Sequence, residues 1–377
     1  MASGSTQCSV LLAGGGSGGH IFPNLAILER LRERRPDVGA VFVVSQRPLD
    51  AQILEKHQQR YTPIPVQPLT AKPWRWPAFY QAWRQSVDMT AALMRQMNVR
   101  AVAATGGFVS GPAISAAHRL GLPVALVNLD AIPGKANAWM AGRATAVFSV
   151  YATPTLAKAQ RIGMPLRKVA IGPADRFKAR AAMGLDPERE TIFVTGASQG
   201  ASSLNRMMIE LVGQTQVRKA LRAREEWQVL HLTGDKGEEA EAARKAYEKA
   251  GVPARVLPFC DTMGQAWCSA SIAISRAGAG SVAEAWVNAV PTIFFPYPYH
   301  KDLHQKHNAE PLTQAGAAVL MLDQIDPATN ARQLGPRLLS LMSNSTQRYQ
   351  MAENLRNTRP PDGAAIVADW LSAACKG

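Results

Sequence analysis

Cysteine is scarce in this sequence, and its few instances are scattered: Cys8, Cys260, Cys268 and Cys375 form no C-x-x-C pair and no regular spacing. That argues against zinc and disulfides and fits a reducing compartment. No uninterrupted apolar run is long enough to span a bilayer. The opening MASGSTQCSV has neither the basic start nor the apolar stretch of a signal peptide, so the expectation is a cytoplasmic chain that meets any membrane only at its surface. There is no Asp-x-Asp diad of the kind that holds Mg²⁺. Acidic residues are also short, but unevenly so. Residues 1–174 carry 7 Asp and Glu against 19 Lys and Arg, which leaves almost all of the net +14 in the first half. Such a half attracts something anionic: a phosphorylated substrate, an acidic lipid surface or nucleic acid. No zinc finger, RNP-type aromatic motif or basic heptad region accompanies the charge, which ranks nucleic acid last and predicts none as a partner.

What is present is apolar and periodic. With 377 residues and 47% hydrophobic side chains, the chain is long for one core and natural for two. Short apolar runs end in glycine-rich turns and lead into helical stretches. SVLLAGG leads to a helix near 23–35, and AVFVVS (40–45), AVAATGG (101–107), VALVN (124–128) and AVFSV (146–150) follow. The series restarts with TIFVTGASQG (191–200), QVLHLTG (228–234), ARVLPF (254–259), IAISRAG (272–278) and PTIFFP (291–296). Strand alternating with helix predicts an α/β fold: two Rossmann-like domains with parallel sheets, 1–172 and 173–362, their strand ends lining a common cleft. A last helix over 363–377 could belong to either domain.

Four glycine loops fall where strands hand over to helices, at 14–19, 106–111, 196–200 and 278–280. Helix N-termini at such points offer free N–H groups to anions. Gly14-x-Gly16-x-x-Gly19 satisfies a dinucleotide fingerprint, but the next strand ends Ser45-Gln46-Arg47 and lacks the acid that would hold a ribose diol. No nicotinamide or flavin cofactor is therefore expected. The glycines could instead serve tight strand-to-helix packing. Ser198 and Gln199 in GASQGASSLN could bind phosphate or simply cap a helix. Ser281-x-x-Glu284 reads equally as a capping box or as a carboxylate placed for a ribose. PYPYHKDLHQKHNA holds three of the seven histidines, but lacks carboxylate and cysteine partners at metal-ligand spacing, so no metal is expected and a sugar-binding loop suits it better.

Together GGGSGGHIFPNLAI, GGFVSGPAISAAHRLGLPV, GASQGASSLN and RAGAGSVAEAWVNAVPTIFFPYPYHKDLHQKHNA resemble the GT-B glycosyltransferases. More closely they resemble the family of UDP-N-acetylglucosamine transferases, MurG among them, that converts lipid I to lipid II in peptidoglycan synthesis. Order and spacing agree over residues 9–320. The resemblance implies UDP-GlcNAc as donor, a lipid-linked acceptor, and work at the cytoplasmic face of the plasma membrane. It implies that Glu284 binds the ribose hydroxyls and that Phe259 and Cys260 face uracil through their backbone. Arg176, Ser198 and Gln199 would hold the diphosphate, Ala279 would belong to the donor site, His304 and Gln305 would meet the donor sugar, and Ser17, Gly18, Gly19 and His20 would lie near acceptor and diphosphate. Gly106, Gly107 and Phe108 would form the acceptor side. The sequence departs from the family at Val127-Asn128-Leu129-Asp130, at His304, at Phe108 and in GPADR, which lacks an Asn-Pro pair.

The implied reaction is an inverting displacement at the anomeric carbon, with backbone dipoles and Arg176 stabilising the leaving diphosphate without metal. Histidine is the side chain suited to proton removal near neutrality, so His20 is one candidate base, though it could instead cap its loop or donate to phosphate. Asp130 is the competing candidate. Between Lys72 and Trp83 the chain interleaves Trp74, Trp76, Phe79 and Tyr80 with Arg75, and Arg84 follows. That mixture suits an anionic interface, or else a helix burying its aromatics. An enzyme using another nucleotide sugar or lipid acceptor, an epimerase-like activity, and a non-catalytic nucleotide-sugar scaffold are the alternatives.

Overall fold

The computed structural model describes residues 8–70, 72–156, 158–196, 202–223, 226–234, 237–299 and 304–376. The chain divides into two compact units: Met1–Arg167 with Pro360–Gly377, and Lys168–Arg359. In the first unit, strands β1 (Ser9–Ala13), β2 (Gly39–Ser45), β3 (Tyr61–Ile64), β4 (Val99–Ala104), β5 (Val124–Asn128), β6 (Ala146–Ser149) and β7 (Gln160–Arg161) form one parallel sheet. Their order is β3-β2-β1-β4-β5-β6-β7. In the second, β8 (Glu190–Thr195), β9 (Trp227–Leu232), β10 (Ala254–Leu257), β11 (Ile272–Ser275), β12 (Thr292–Phe294) and β13 (Ala318–Leu320) form another, ordered β10-β9-β8-β11-β12-β13.

The central strands are predominantly apolar and buried along most of their length rather than alternating, because helices cover both faces of a parallel sheet. All five residues of β1 are buried, as are all four of β11. The strands that sequence periodicity missed, β3, β7 and β13, all lie at sheet edges. They are short and partly exposed, so their composition carries little signal.

Each sheet reverses its winding once, between β1 and β4 and between β8 and β11. In doubly wound sheets the carboxyl ends of such a strand pair are the place where ligands bind. The first helix, Gly18–Arg34, begins five residues before the stretch the sequence suggests, which puts His20 in its first turn. The last helix, Gly363–Ala374, packs on that first helix. Asp362 caps it through Ala365 N–H (3.1 Å) and also accepts from the buried Arg30 (2.8 Å).

Candidate functional site

At the first unit's switch point, the loop after β1 and the loop after β4 close on one histidine. Thr105 N–H donates to the Ala13 carbonyl (3.0 Å), and Thr105 Oγ1 donates to the His20 carbonyl (2.7 Å). The His20 ring meets the Thr105 carbonyl through Nδ1 at 3.0 Å. A carbonyl only accepts, so Nδ1 carries a proton, and in the neutral ring Nε2 holds the lone pair. Gly106 (φ +107°) and Gly107 (φ +75°) fold over the ring, and a methyl group on Gly107 would stand 3.5 Å from Nε2 and 2.9 Å from the Gly15 carbonyl. Here glycine is required twice over, by backbone conformation and by lack of space.

The glycines of the first loop divide by role. A side chain on Gly14 or Gly15 would collide with Thr105 or Asp50, so these two serve packing. Gly16 (φ +86°) lies under the Phe108 ring, while Gly19 is exposed and meets only Ser17. Ser17 precedes the helix in extended conformation and its hydroxyl makes no capping bond. Asp50, fully buried, holds the loop from below: Oδ2 accepts from Gly16 N–H (2.7 Å), Ser45 N–H (3.1 Å) and Ser45 Oγ (2.6 Å). An acid does follow β2, therefore, but it binds the loop's own backbone instead of a ribose.

The divergent run after β5 builds a second polar layer. Asn128 donates to the Asp130 carbonyl (2.8 Å) and to Ser149 Oγ (3.1 Å), and its amide oxygen accepts from Asn137 (3.3 Å). Asn137 lies beside Gly106, and its own amide oxygen is buried without a partner among the described residues. The Asp130 side chain is partly exposed; its charge joins burial in pushing the Tyr151 phenol up.

The aromatic segment splits into an inward and an outward part. Trp83 lies against Gly111, with Phe79 at 6.0 Å and Trp139 at 5.8 Å between ring centroids. Trp74 (73% exposed), Trp76 and Tyr80 face outward, with Lys72 over Trp74 and Arg84 over Tyr80 at 5.8 Å. Trp139 is exposed as well, under Arg143 at 4.8 Å.

In the second unit, the helix Ala279–Val287 starts at the carboxyl end of β11. Its N-cap is Gly278, so Ser281 is already inside the helix and the capping box, one of the two readings of Ser281 and Glu284, does not form. Among the described residues, a methyl group on Gly278 or Gly280 would meet no atom within 4 Å, which leaves this N-terminus uncovered by them. Glu284 stands in the second turn. Its Oε2 accepts from the Trp267 indole N–H at 2.8 Å. Burial pushes its carboxyl up to about 7, against the opposing pull of that N–H. Phe259 and Cys260 follow β10; the phenyl ring is exposed and the thiol buried.

Arg176 begins the helix Arg176–Ala182. Burial draws its pKa down, Glu190 opposes this, and no hydrogen bond or ion pair holds its guanidinium among the described residues. Arg276, at the end of β11, pairs with Asp323 (2.8 Å), donates to the Phe295 carbonyl (3.0 Å) and reaches Ser203 at the start of the helix Ser202–Gly213. Gln305 accepts from Tyr297 N–H (2.9 Å), and His304 opens the helix His304–Gln314. Ser198 and Gln199 lie outside the described residues, as do His300, Lys301 and Asp302.

Comparison with known proteins agrees with this arrangement. Residues 10–149 match the glycosyltransferase family 28 N-terminal domain, and residues 191–365 match the family 28 C-terminal domain. A UDP-N-acetylglucosamine–N-acetylmuramyl-(pentapeptide) pyrophosphoryl-undecaprenol N-acetylglucosamine transferase from Leifsonia xyli is 33% identical, over 97% of this chain and 99% of its own length. The chain belongs to this transferase family, within glycosyltransferase family 28. A relative of the same description from Acidithiobacillus ferrooxidans is also 33% identical, with 97% of each chain covered. The crystal structure of Acinetobacter baumannii MurG shares the fold, with a TM-score of 0.75 at 24% identity over 97% of this chain and 99% of that one. The two units thus correspond to the N- and C-terminal domains of the family 28, GT-B fold.

Within the family 28 domains, sequence reasoning missed Asp50, Asn137, Trp267 and Arg276. Each acts through partners on another element of the fold, and no local pattern marks it. Only the proximity of Arg276 to the fourth glycine loop could have drawn attention to it.

Proposed function

We propose that the protein transfers N-acetylglucosamine, with inversion, from UDP-GlcNAc to the lipid-linked N-acetylmuramyl-pentapeptide acceptor, the first unit serving the acceptor and the second the donor. Family membership supports the substrates. Glu284 accepts the ribose hydroxyls through its free oxygen, and the backbone at Phe259–Cys260 meets uracil. Arg176, the N-terminus at Ala279, and Ser198 with Gln199 take the diphosphate. His304 and Gln305 serve the sugar. Charge on the departing UDP is stabilised by Arg176 and fixed backbone dipoles, which cost no reorganisation during reaction.

The observation that carries the mechanism is the bond from His20 Nδ1 to the Thr105 carbonyl. It fixes the tautomer whose Nε2 can accept a proton, with Gly106 and Gly107 keeping that edge unobstructed. His20 is therefore preferred over Asp130 as the base that deprotonates the acceptor hydroxyl, and Ser17, Gly18 and Gly19 line the approach. The lipid-linked acceptor is reached from the cytoplasmic face of the membrane. Lys72, Trp74, Trp76 and Tyr80 rest on the anionic surface, with Trp139 beside them and with Phe79 and Trp83 as their packed base.

The test is turnover: purified protein with radiolabelled UDP-GlcNAc and a lipid I analogue should yield labelled lipid and UDP in equal amounts. Binding of UDP-GlcNAc without transfer, or epimerised sugar without acceptor, would overturn the proposal.

A further inference from the structure

The Glu284 carboxylate is held by a frame that the reaction itself does not require. Trp267, on the helix Met263–Ser269, is fully buried; its ring stands edge-on to Phe193, 5.0 Å between centroids at 84°. Its N–H reaches Glu284 Oε2 at 2.8 Å, and no described residue bonds Oε1. Both helices are clamped to one short segment. Asn288, which ends the Glu284 helix, accepts from Gly172 N–H (2.7 Å) and donates to the carbonyls of Ala170 (2.9 Å) and Glu284 (2.8 Å). On the other side Cys268 donates to the Pro173 carbonyl (2.8 Å), and Gly264 packs so closely that a methyl group there would come within 2.5 Å of the Ile171 backbone. Segment 170–173 leads directly to Arg176. Neither the indole nor the helix that carries the carboxylate has freedom to shift.

A glutamate side chain free to rotate would lose rotamer entropy on meeting a ligand. One oxygen already bonded to an immobile N–H leaves the other aimed in one direction. We propose that Trp267 is a positioning residue for nucleotide recognition: its indole N–H fixes Glu284 so that the second carboxylate oxygen is preset for a vicinal diol. This rests on the reading of Glu284 as the ribose ligand. The indole touches no substrate; it acts through the carboxylate.

Trp267→Phe keeps an aromatic ring against Phe193 and removes only the N–H. Dissociation constants for UDP and 2′,3′-dideoxy-UDP, measured by calorimetry near pH 8 on wild type and variant, separate the possibilities. Wild type should favour UDP strongly, and the variant should lose about tenfold for UDP while binding the dideoxy compound as before. Equal weakening of both ligands would mean general loosening, and an undiminished preference for UDP would mean that the N–H is idle; either overturns the proposal. If wild type itself fails to distinguish the two ligands, the reading of Glu284 is what fails.

Should the variant not fold, ¹⁵N-indole spectra of wild type and Glu284→Gln replace it. One indole resonance should move with UDP but not with dideoxy-UDP, and lose that movement in Glu284→Gln. If no indole signal behaves so, the proposal is overturned.

Discussion

Recognition of the nucleoside should depend on pH in a way that traces to one carboxyl group. Glu284 in the empty protein titrates near 7 because burial penalises its charge more than the Trp267 N–H relieves it. The diol donates hydrogen bonds, so it selects the ionised carboxylate. Binding is therefore present above the folded pKa and lost as pH falls through it. For a group titrating near 7, the ionised fraction falls from about nine-tenths at about pH 8 to about 3% at about pH 5.5. Affinity should drop about 30-fold over that span, equivalent to about 2 kcal/mol. Uridine is the right ligand, because it has no phosphate to titrate in that range. NMR titration at several pH values should give a profile that bends near 7 for wild type and stays flat for Glu284→Gln. A flat wild-type profile, or an identical bend in the variant, would refute the reasoning. Stability has the opposite sign. A carboxyl raised from 4.5 to about 7 by folding favours the folded state while protonated. The empty protein should then lose about 3 kcal/mol as pH rises through that window, and Glu284→Gln should not. Urea unfolding of both proteins at several pH values checks this.

Four further outcomes follow from other contacts. His20→Gln should lower kcat about a hundredfold or more while leaving the dissociation constant of UDP within about twofold, by single-turnover and binding measurements; a small kcat effect would return the base role to Asp130. Asp50→Ala strips the acceptor from two backbone N–H groups and a hydroxyl, and should cost about 3 kcal/mol in urea unfolding; a loss below about 1 kcal/mol would leave the loop without its anchor role. Gly107→Ala adds a methyl to left-handed backbone 2.9 Å from the Gly15 carbonyl, and should cost about 2 kcal/mol or more in thermal unfolding. Replacing Trp74, Trp76 and Tyr80 together by Ser should weaken sedimentation with anionic vesicles about tenfold or more, with turnover on a short-chain acceptor intact; unchanged vesicle binding would move the contact elsewhere.

The sequence by itself determined the class of fold and the neighbourhood of the site. Predominantly apolar strands between helices are legible because sheets covered on both faces have no polar side to impose alternation. The glycine loops were legible because special backbone angles and close approach leave glycine little competition, as Gly16, Gly106 and Gly107 illustrate. Tertiary structure alone decided which role each residue takes. Ser281 and Glu284 have the spacing of a capping box, yet the helix begins at Ala279 and the carboxylate turns to Trp267 instead. Asp50 has the chemistry of a ribose ligand, but its bonds run to Ser45 and Gly16. The tautomer of His20 was set by a carbonyl 85 residues away in sequence. Hydrogen-bond partners of this kind are fixed by sheet order, which brings β4 beside β1 and β11 beside β8. That order arises from long-range strand pairing, and no local stretch of sequence encodes it.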